Sequence, residues 1–184
     1  MKRKAAGMTL VEALMVVALV SIGSAIALIQ MRTSMAILDA DKASNLVMGQ
    51  LRYAREIAVD QRRNVLIEFV GLTEIKVTRS DPGGGTTVMS DVYLPSGFTF
   101  SLPSGPGDTP EGYGNAAPVY FGAGDTSGTF LGDGTFVNAA GSLINGTVFT
   151  KGGTNGSARA VALSAAAGRL KQYYLQGNTW VIRG

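Results

Sequence analysis

An apolar run from Met8 to Ile29, MTLVEALMVVALVSIGSAIALI, carries a single charge, Glu12, and follows directly on a basic leader, MKRKAAG. At about 1.5 Å per residue, a helix over roughly 22 residues spans about 33 Å, enough to cross the hydrocarbon core of a bilayer. The run therefore belongs in a membrane or among other apolar helices, and the remainder of the chain must build a water-soluble core without it. A carboxylate at a bilayer centre costs about 2.5–3.5 kcal/mol, less near an edge, so Glu12 calls for a partner or a task. Lys2, Arg3 and Lys4 fix the leader on the cytoplasmic side.

Two plainer readings compete: an ordinary secretory signal cut after Ala25-Ile26-Ala27, and a simple membrane anchor. A secretory apolar region is about 7–15 residues long and avoids acids, so both the length of this run and Glu12 weigh against the first.

The basic leader, Gly7, an apolar Met8, Glu12 and the unbroken apolar helix together resemble the class III signal of type IV pilins and pseudopilins. The resemblance implies that a prepilin peptidase cuts the Gly7–Met8 bond on the cytoplasmic face and methylates the nitrogen of Met8. It also implies that Glu12 meets the N-terminal ammonium of a neighbouring subunit. Such a charge pair is far stronger in lipid than in water and would set the docking register. The implied partners are that peptidase, other pilins or pseudopilins through the N-terminal helix, and the bacterial inner membrane. The remainder of the chain would lie in the periplasm, and in a filament after assembly.

Composition narrows the chemistry. With 184 residues there is one domain's worth of chain beyond the anchor. There is no cysteine and no histidine. A disulfide framework, a thiolate nucleophile, a Ser-His-Asp triad and imidazole metal sites are therefore excluded. The acids are scattered in no spacing suited to paired-carboxylate catalysis, so no enzymatic activity and no cofactor is expected. The formal charge of +3 comes from 16 Lys and Arg against 13 Asp and Glu, and without Lys2, Arg3 and Lys4 the chain is formally neutral. The distribution is uneven, because Gly134 to Gly184 holds Lys151, Arg159, Arg169, Lys171 and Arg183 and no acid.

No proline precedes Pro82, and the helical pattern continues from the anchor to about Arg63. Ile37, Ala40, Ser44, Val47, Leu51, Ala54 and Ala58 recur at steps of three and four, a stripe expected to bury against a sheet, with Asp39, Asp41, Lys42, Arg52, Arg55, Asp60 and Arg62 off it. Gly23 and Gly49 each weaken the helix by about 1 kcal/mol relative to Ala, and Gly49 is expected to mark close helix-to-sheet packing. Beyond Arg63 the period becomes alternating. Val65–Val70 and Glu74–Arg79 form an expected hairpin, followed by strands at Val88–Leu94 and Gly97–Leu102. Residues 103–133 read as long Gly/Pro-rich loops with short strands at Val119-Tyr120-Phe121 and Thr129-Phe130-Leu131. A second sheet is expected from Val148-Phe149-Thr150, Ala158–Ser164, Leu170–Leu175 and Thr179–Ile182, with turns at Asn145-Gly146, Asn155-Gly156 and Gly177-Asn178.

The expected fold class is thus α+β: a long N-terminal transmembrane and spine helix packed on a C-terminal antiparallel domain of two sheets. Its expected parts are a cleaved leader at 1–7, a membrane and filament-core helix at 8–29, an amphipathic continuation at 30–63 and a β domain at 64–184.

LRYAREIAVDQRRNVLIEF and AVALSAAAGRLKQYY are similar to the end of the spine helix and the closing hairpin of the GspH/FimT family of minor pseudopilins and minor pilins. This resemblance implies a low-abundance structural subunit near the tip of a type II secretion or type IV pilus filament, where it helps initiate assembly. A second reading takes DNA as partner. Some FimT-type minor pilins bind DNA through Gly-Arg-x-Arg near the C-terminus, and Gly168-Arg169-Leu170-Lys171 matches with Lys for the final Arg. Arg169 and Lys171 would contact phosphate, although Arg forks phosphate better than Lys. Tyr173, Tyr174 and Trp180 would add base stacking if exposed; as alternating strand residues, Tyr173 and Tyr174 cannot face the same way, and large residues of this kind usually serve the core.

A third reading, a major pilin, is disfavoured by the missing C-terminal cysteine-bounded loop. Asp125 and Asp133 are too few for a calcium site and read as turns, so no metal is expected. The sequons at Asn145 and Asn155 are sufficiently explained as Asn-Gly turns.

Overall fold

The structure, a computed structural model, describes residues 9–122 and 124–183. The chain packs as two compact units, one ending at Ala36 and one from Ile37 onward. A single helix, α1 (Leu10–Gln61), contributes to both.

In the first unit, the window Leu10–Ala27 is long and apolar enough to cross a membrane, and none of it is buried within the protein. Its serines do not leave free hydroxyls in that apolar surface. Ser21 Oγ donates to the carbonyl of Val17 at 2.7 Å and Ser24 Oγ to that of Val20 at 2.8 Å. This back-bonding lets a helix keep small polar residues in a medium that cannot solvate them.

In the second unit, Ala40, Ala43, Val47, Leu51, Ala54 and Ala58 are fully buried along one face of α1. Small residues dominate, so the strands can approach the helix axis closely. Ile37, in phase with this stripe, is 50% exposed; the packed face begins only at Ala40. Gly49 is a second correction: it is exposed, and a Cβ built there meets nothing within 4 Å, so it marks open solvent and not close packing. The helix stops at Arg62, which takes a left-handed φ of 49°, while the Arg63 N–H reaches back to the Ala58 carbonyl at 3.1 Å. That closing bond is the usual end of a helix whose next residue turns left-handed.

Eleven strands follow: β1 (Val65–Val70), β2 (Glu74–Ser80), β3 (Thr86–Tyr93), β4 (Thr99–Phe100), β5 (Val119–Tyr120), β6 (Ser127–Phe130), β7 (Phe136–Val137), β8 (Gly146–Lys151), β9 (Arg159–Ser164), β10 (Arg169–Gln176) and β11 (Thr179–Arg183). They form two antiparallel sheets. The first has the order β3-β2-β1-β6-β7; the second runs β11-β10-β9-β8-β4, with β5 also pairing β8. The fold is α+β.

Alternation in β1 and β2 buries Val65, Ile67, Phe69, Ile75 and Val77 toward the helix, and Val148, Val161 and Leu163 do the same from the second sheet. Phe69, Phe121, Phe130 and Phe136 join the same core, with ring centroids 4.8 Å apart for Phe130 and Phe136. The Phe136 N–H donates to the Ala165 carbonyl at 3.0 Å, which ties the first sheet to the β9–β10 turn.

The strand expected at Gly97–Leu102 pairs only at Thr99–Phe100. Asn145-Gly146 is not a hairpin turn: Gly146 opens β8, and a Cβ there would lie 2.1 Å from the Phe121 ring, so the glycine is a packing requirement. Asn145 Oδ1 instead accepts the Ala165 N–H at 2.8 Å. The Gly/Pro-rich stretch after Leu102 lies over the outer face of the second sheet. There Phe149, Tyr173, Leu175 and Trp180 form a separate apolar cluster with Leu102 and Tyr113.

Candidate functional site

At the head of α1, Thr9 and Glu12 form the first half of a capping box. The Glu12 N–H donates to Thr9 Oγ1 at 3.3 Å, and the Ala13 N–H to the Thr9 carbonyl at 3.0 Å. Glu12 is the acid of the first helical turn, where a negative charge faces the positive end of the helix dipole. It is exposed, as are Leu10, Val11, Leu14 and Met15 around it, so its carboxylate is free to meet another chain. Gly7 and Met8 lie outside the described residues.

At the other end of the sequence, β9 and β10 form the hairpin expected from AVALSAAAGRLKQYY, turned by Ala165–Gly168. Arg169, Lys171 and Tyr173 alternate onto the outer face of β10, while Gln172 points to the helix and donates to Ser44 Oγ at 2.5 Å. The structure thus brings Arg169 and Lys171 to one face. Arg169 is exposed and makes no ion pair among the described residues.

Lys171 is engaged: its Nζ lies 2.5 Å from Glu111 Oε1, a residue of the overlying loop. The same carboxylate accepts the Tyr173 hydroxyl at 2.7 Å. The hydrogen bonds from Lys171 and then Tyr173 hold the Glu111 carboxyl below its ordinary pKa. Burial, with the Glu111 hydrogen bond adding to it, pushes the Tyr173 phenol well up. The loop is fastened further along by Trp180 Nε1 donating to the Gly107 carbonyl at 3.0 Å and Asn178 Nδ2 to that of Gly105 at 3.2 Å. Tyr173 and Trp180 are 2% and 6% exposed, so neither offers a face to a base.

The other cations of the acid-free segment are also partly spent. Arg159, 4% exposed, donates from Nε to Asp41 Oδ1 at 2.8 Å, and Arg183 pairs with the same oxygen. Burial alone would raise the Asp41 carboxyl; the hydrogen bonds from Arg159 and Arg183 overcome it and hold the group below its ordinary value. This clamp joins α1 to β9 and β11. The sequence placed Asp41 correctly off the apolar stripe but gave no sign of partners more than a hundred residues away.

Gly168 of the Gly-Arg-x-Lys segment has a structural reason. Its φ is 56°, and a Cβ there would lie 2.2 Å from Arg55 Nε. Arg55 threads between the two sheets' turns, donating from Nε to the Gly134 carbonyl at 3.3 Å. Asp133, weighed above as a calcium ligand, accepts the Thr135 hydroxyl at 2.6 Å and closes a turn. Among the described residues no group of three or more acids is placed to hold a metal ion.

Residues 2–28 match the family model of the prokaryotic N-terminal methylation motif. The match supports a pilin-like prepilin and, with it, a membrane-anchored type IV pilin-like subunit of a pilus or pseudopilus, a structural and not an enzymatic class. The motif implies prepilin peptidase processing and assembly with other pilins. No curated protein and no solved structure matches the chain.

Proposed function

We propose that this chain is a minor pseudopilin or minor pilin, a structural subunit that helps initiate a type II secretion or type IV pilus filament near its tip. The observation that carries the reading is the methylation motif at residues 2–28 running into one helix whose later turns form the core of a two-sheet domain. Prepilin peptidase cuts Gly7–Met8 and methylates Met8. The apolar helix then sits in the inner membrane with the β domain in the periplasm, and passes into the filament on assembly. Glu12 accepts the N-terminal ammonium of the neighbouring subunit. Its exposure on an apolar helix supports that role, because an unpartnered carboxylate in lipid is costly. The test is Glu12→Ala: the variant is processed normally but recovered in sheared filaments at a small fraction of the wild-type level. Normal incorporation would remove the role given to Glu12.

A second reading, a DNA-binding minor pilin, is favoured by one feature: Arg169 and Lys171 share the outer face of β10, and Arg169 makes no ion pair among the described residues. Salt-sensitive binding of duplex DNA, lost in the Arg169→Ala, Lys171→Ala double variant, would establish it. No binding at low salt would refute it.

A further inference from the structure

The outer face of the β9–β10 hairpin holds a small cavity of about 100 Å³, lined by Glu111, Tyr113, Ala162, Ser164, Arg169 and Lys171. Strand register explains the room. Ser164 stands opposite Arg169 and Ala162 opposite Lys171, so small residues face long cationic ones and the space above them is left unfilled. The connection from β4 to β5 passes over that space and lowers Glu111 into it.

Three donors converge on the Glu111 carboxylate: the Lys171 ammonium at 2.5 Å, the Tyr173 hydroxyl at 2.7 Å and the Tyr113 hydroxyl. Arg169 brings a guanidinium to the same cavity and makes no ion pair among the described residues. An ammonium, a guanidinium and two phenols gathered around one oxyanion are a donor set that suits a phosphate, with charge-assisted bonds from the two cations.

Glu111 is not needed to shape its own turn. That turn closes on Asp108, whose carboxylate accepts the N–H groups of Thr109 and Gly114, each at 2.7 Å, while the Gly112 N–H reaches the Thr109 carbonyl at 2.9 Å. Trp180 and Asn178 fasten the preceding residues through Gly107 and Gly105. Rotating the Glu111 side chain outward breaks none of these bonds. While it stays in place, Glu111 and Asp108 balance Arg169 and Lys171, and this face of the free chain is formally neutral. With Glu111 displaced, an incoming anion meets both cations.

We propose that this cavity is a phosphate site for the DNA backbone and that Glu111 is its built-in competitor, masking Lys171 until a phosphate takes its place. The proposal rests on the DNA-binding reading of this face and adds to it the residue that sets its strength. A phosphate reaches Lys171 only by displacing the carboxylate, so binding is weaker and less salt-dependent than two free cations would give.

The test is the affinity of the full-length protein, in nonionic detergent, for a short DNA duplex over a range of salt. Glu111→Gln keeps the shape of the side chain and weakens its hold on Lys171. Affinity at low salt is expected to rise about tenfold, and the slope of log affinity against log salt to steepen by about 1, the mark of one added phosphate contact. Adding Lys171→Ala to Glu111→Gln returns both to about the wild-type level, because the gain runs through that ammonium. Glu68→Gln removes the same charge from the first sheet and leaves the slope unchanged. Protease resistance equal to that of the wild type checks that each variant is folded. No gain from Glu111→Gln, a gain that survives Lys171→Ala, or an equal gain from Glu68→Gln would each overturn the proposal; if wild-type binding is still salt-sensitive and lost in Arg169→Ala, the DNA-binding reading stands without it. Binding by none of these proteins would overturn both.

Discussion

Replacing Asp41 by Asn keeps the side-chain shape but removes the charge that neutralises Arg159 and Arg183. Arg159 is 4% exposed and Asp41, at 14%, is partly buried, so the arginine is the group that its partner's loss would leave shielded from water. Deleting one partner of a buried pair costs about 3–5 kcal/mol, chiefly because the remaining charge is left uncompensated. Arg159 keeps two carbonyl acceptors, Gly156 at 3.2 Å and Ala158 at 2.9 Å, and an Asn oxygen still accepts one bond, which places the expected loss near the lower bound. We predict a destabilisation of about 3 kcal/mol at neutral pH, a large part of the roughly 5–15 kcal/mol that holds such a domain. For a domain of this size that is a melting point lower by about 6–12 °C.

The assay is urea and thermal unfolding of a fragment beginning at Ile37, wild type beside Asp41→Asn, across pH. The folded carboxyl titrates below its unfolded value, so its contribution is complete above about pH 4 and is lost as pH falls through the folded pKa. The gap between the two proteins should accordingly narrow below about pH 4. A gap under about 0.5 kcal/mol at neutral pH, or one that does not change on acidification, would refute the clamp.

Four further outcomes are expected. Gly49→Ala should stabilise the same fragment by up to about 1 kcal/mol in urea unfolding, because its Cβ would meet open space in a helix interior; a loss would show that the site is packed. Gly168→Ala should destabilise by about 1–3 kcal/mol, because a Cβ would need the space of Arg55 at a φ of 56°, and an unchanged midpoint would contradict that packing. Arg62→Gly should add about 0.5–1 kcal/mol by relieving the left-handed φ of 49°, read in the same way. Gly7 replaced by a bulky residue should leave the chain unprocessed in membranes, whereas a mature N-terminus at Leu28 would point to ordinary signal peptidase.

Much of this architecture could be read from periodicity. The stripe from Ala40 to Ala58, the β1–β2 hairpin and the β9–β10–β11 meander all follow local rules: apolar residues at steps of three and four, strict alternation, and glycine at the turns. The failures share a different cause. Gly49 and Gly146 carry no local mark that separates open space from an aromatic ring 2.1 Å away; only the packing partner, Phe121 for Gly146, decides. The short strand β6 was marked by Thr129-Phe130-Leu131, but nothing local shows its place beside β1, and β7 sits in a Gly-rich stretch where the pattern is too brief to show a period.

At the site, the basic residues of the C-terminal segment were visible as an acid-free run, but their availability was not. Asp41 and Glu111 engage Arg159, Arg183 and Lys171 from distant positions in the chain and leave Arg169 as the exposed cation of the β10 pair. The Glu12 motif was legible because it is local, and its place in the first turn, facing the positive end of the helix dipole, gives that acid a second, purely helical reason.

The measurement that bears most directly on the central claim is the intact mass and N-terminal sequence of the full-length protein recovered from bacterial membranes. A chain beginning at Met8, heavier by one methyl group on its terminal nitrogen, is the predicted result. A chain that keeps residues 1–7, or one that begins at Leu28 without a methyl group, would contradict the account.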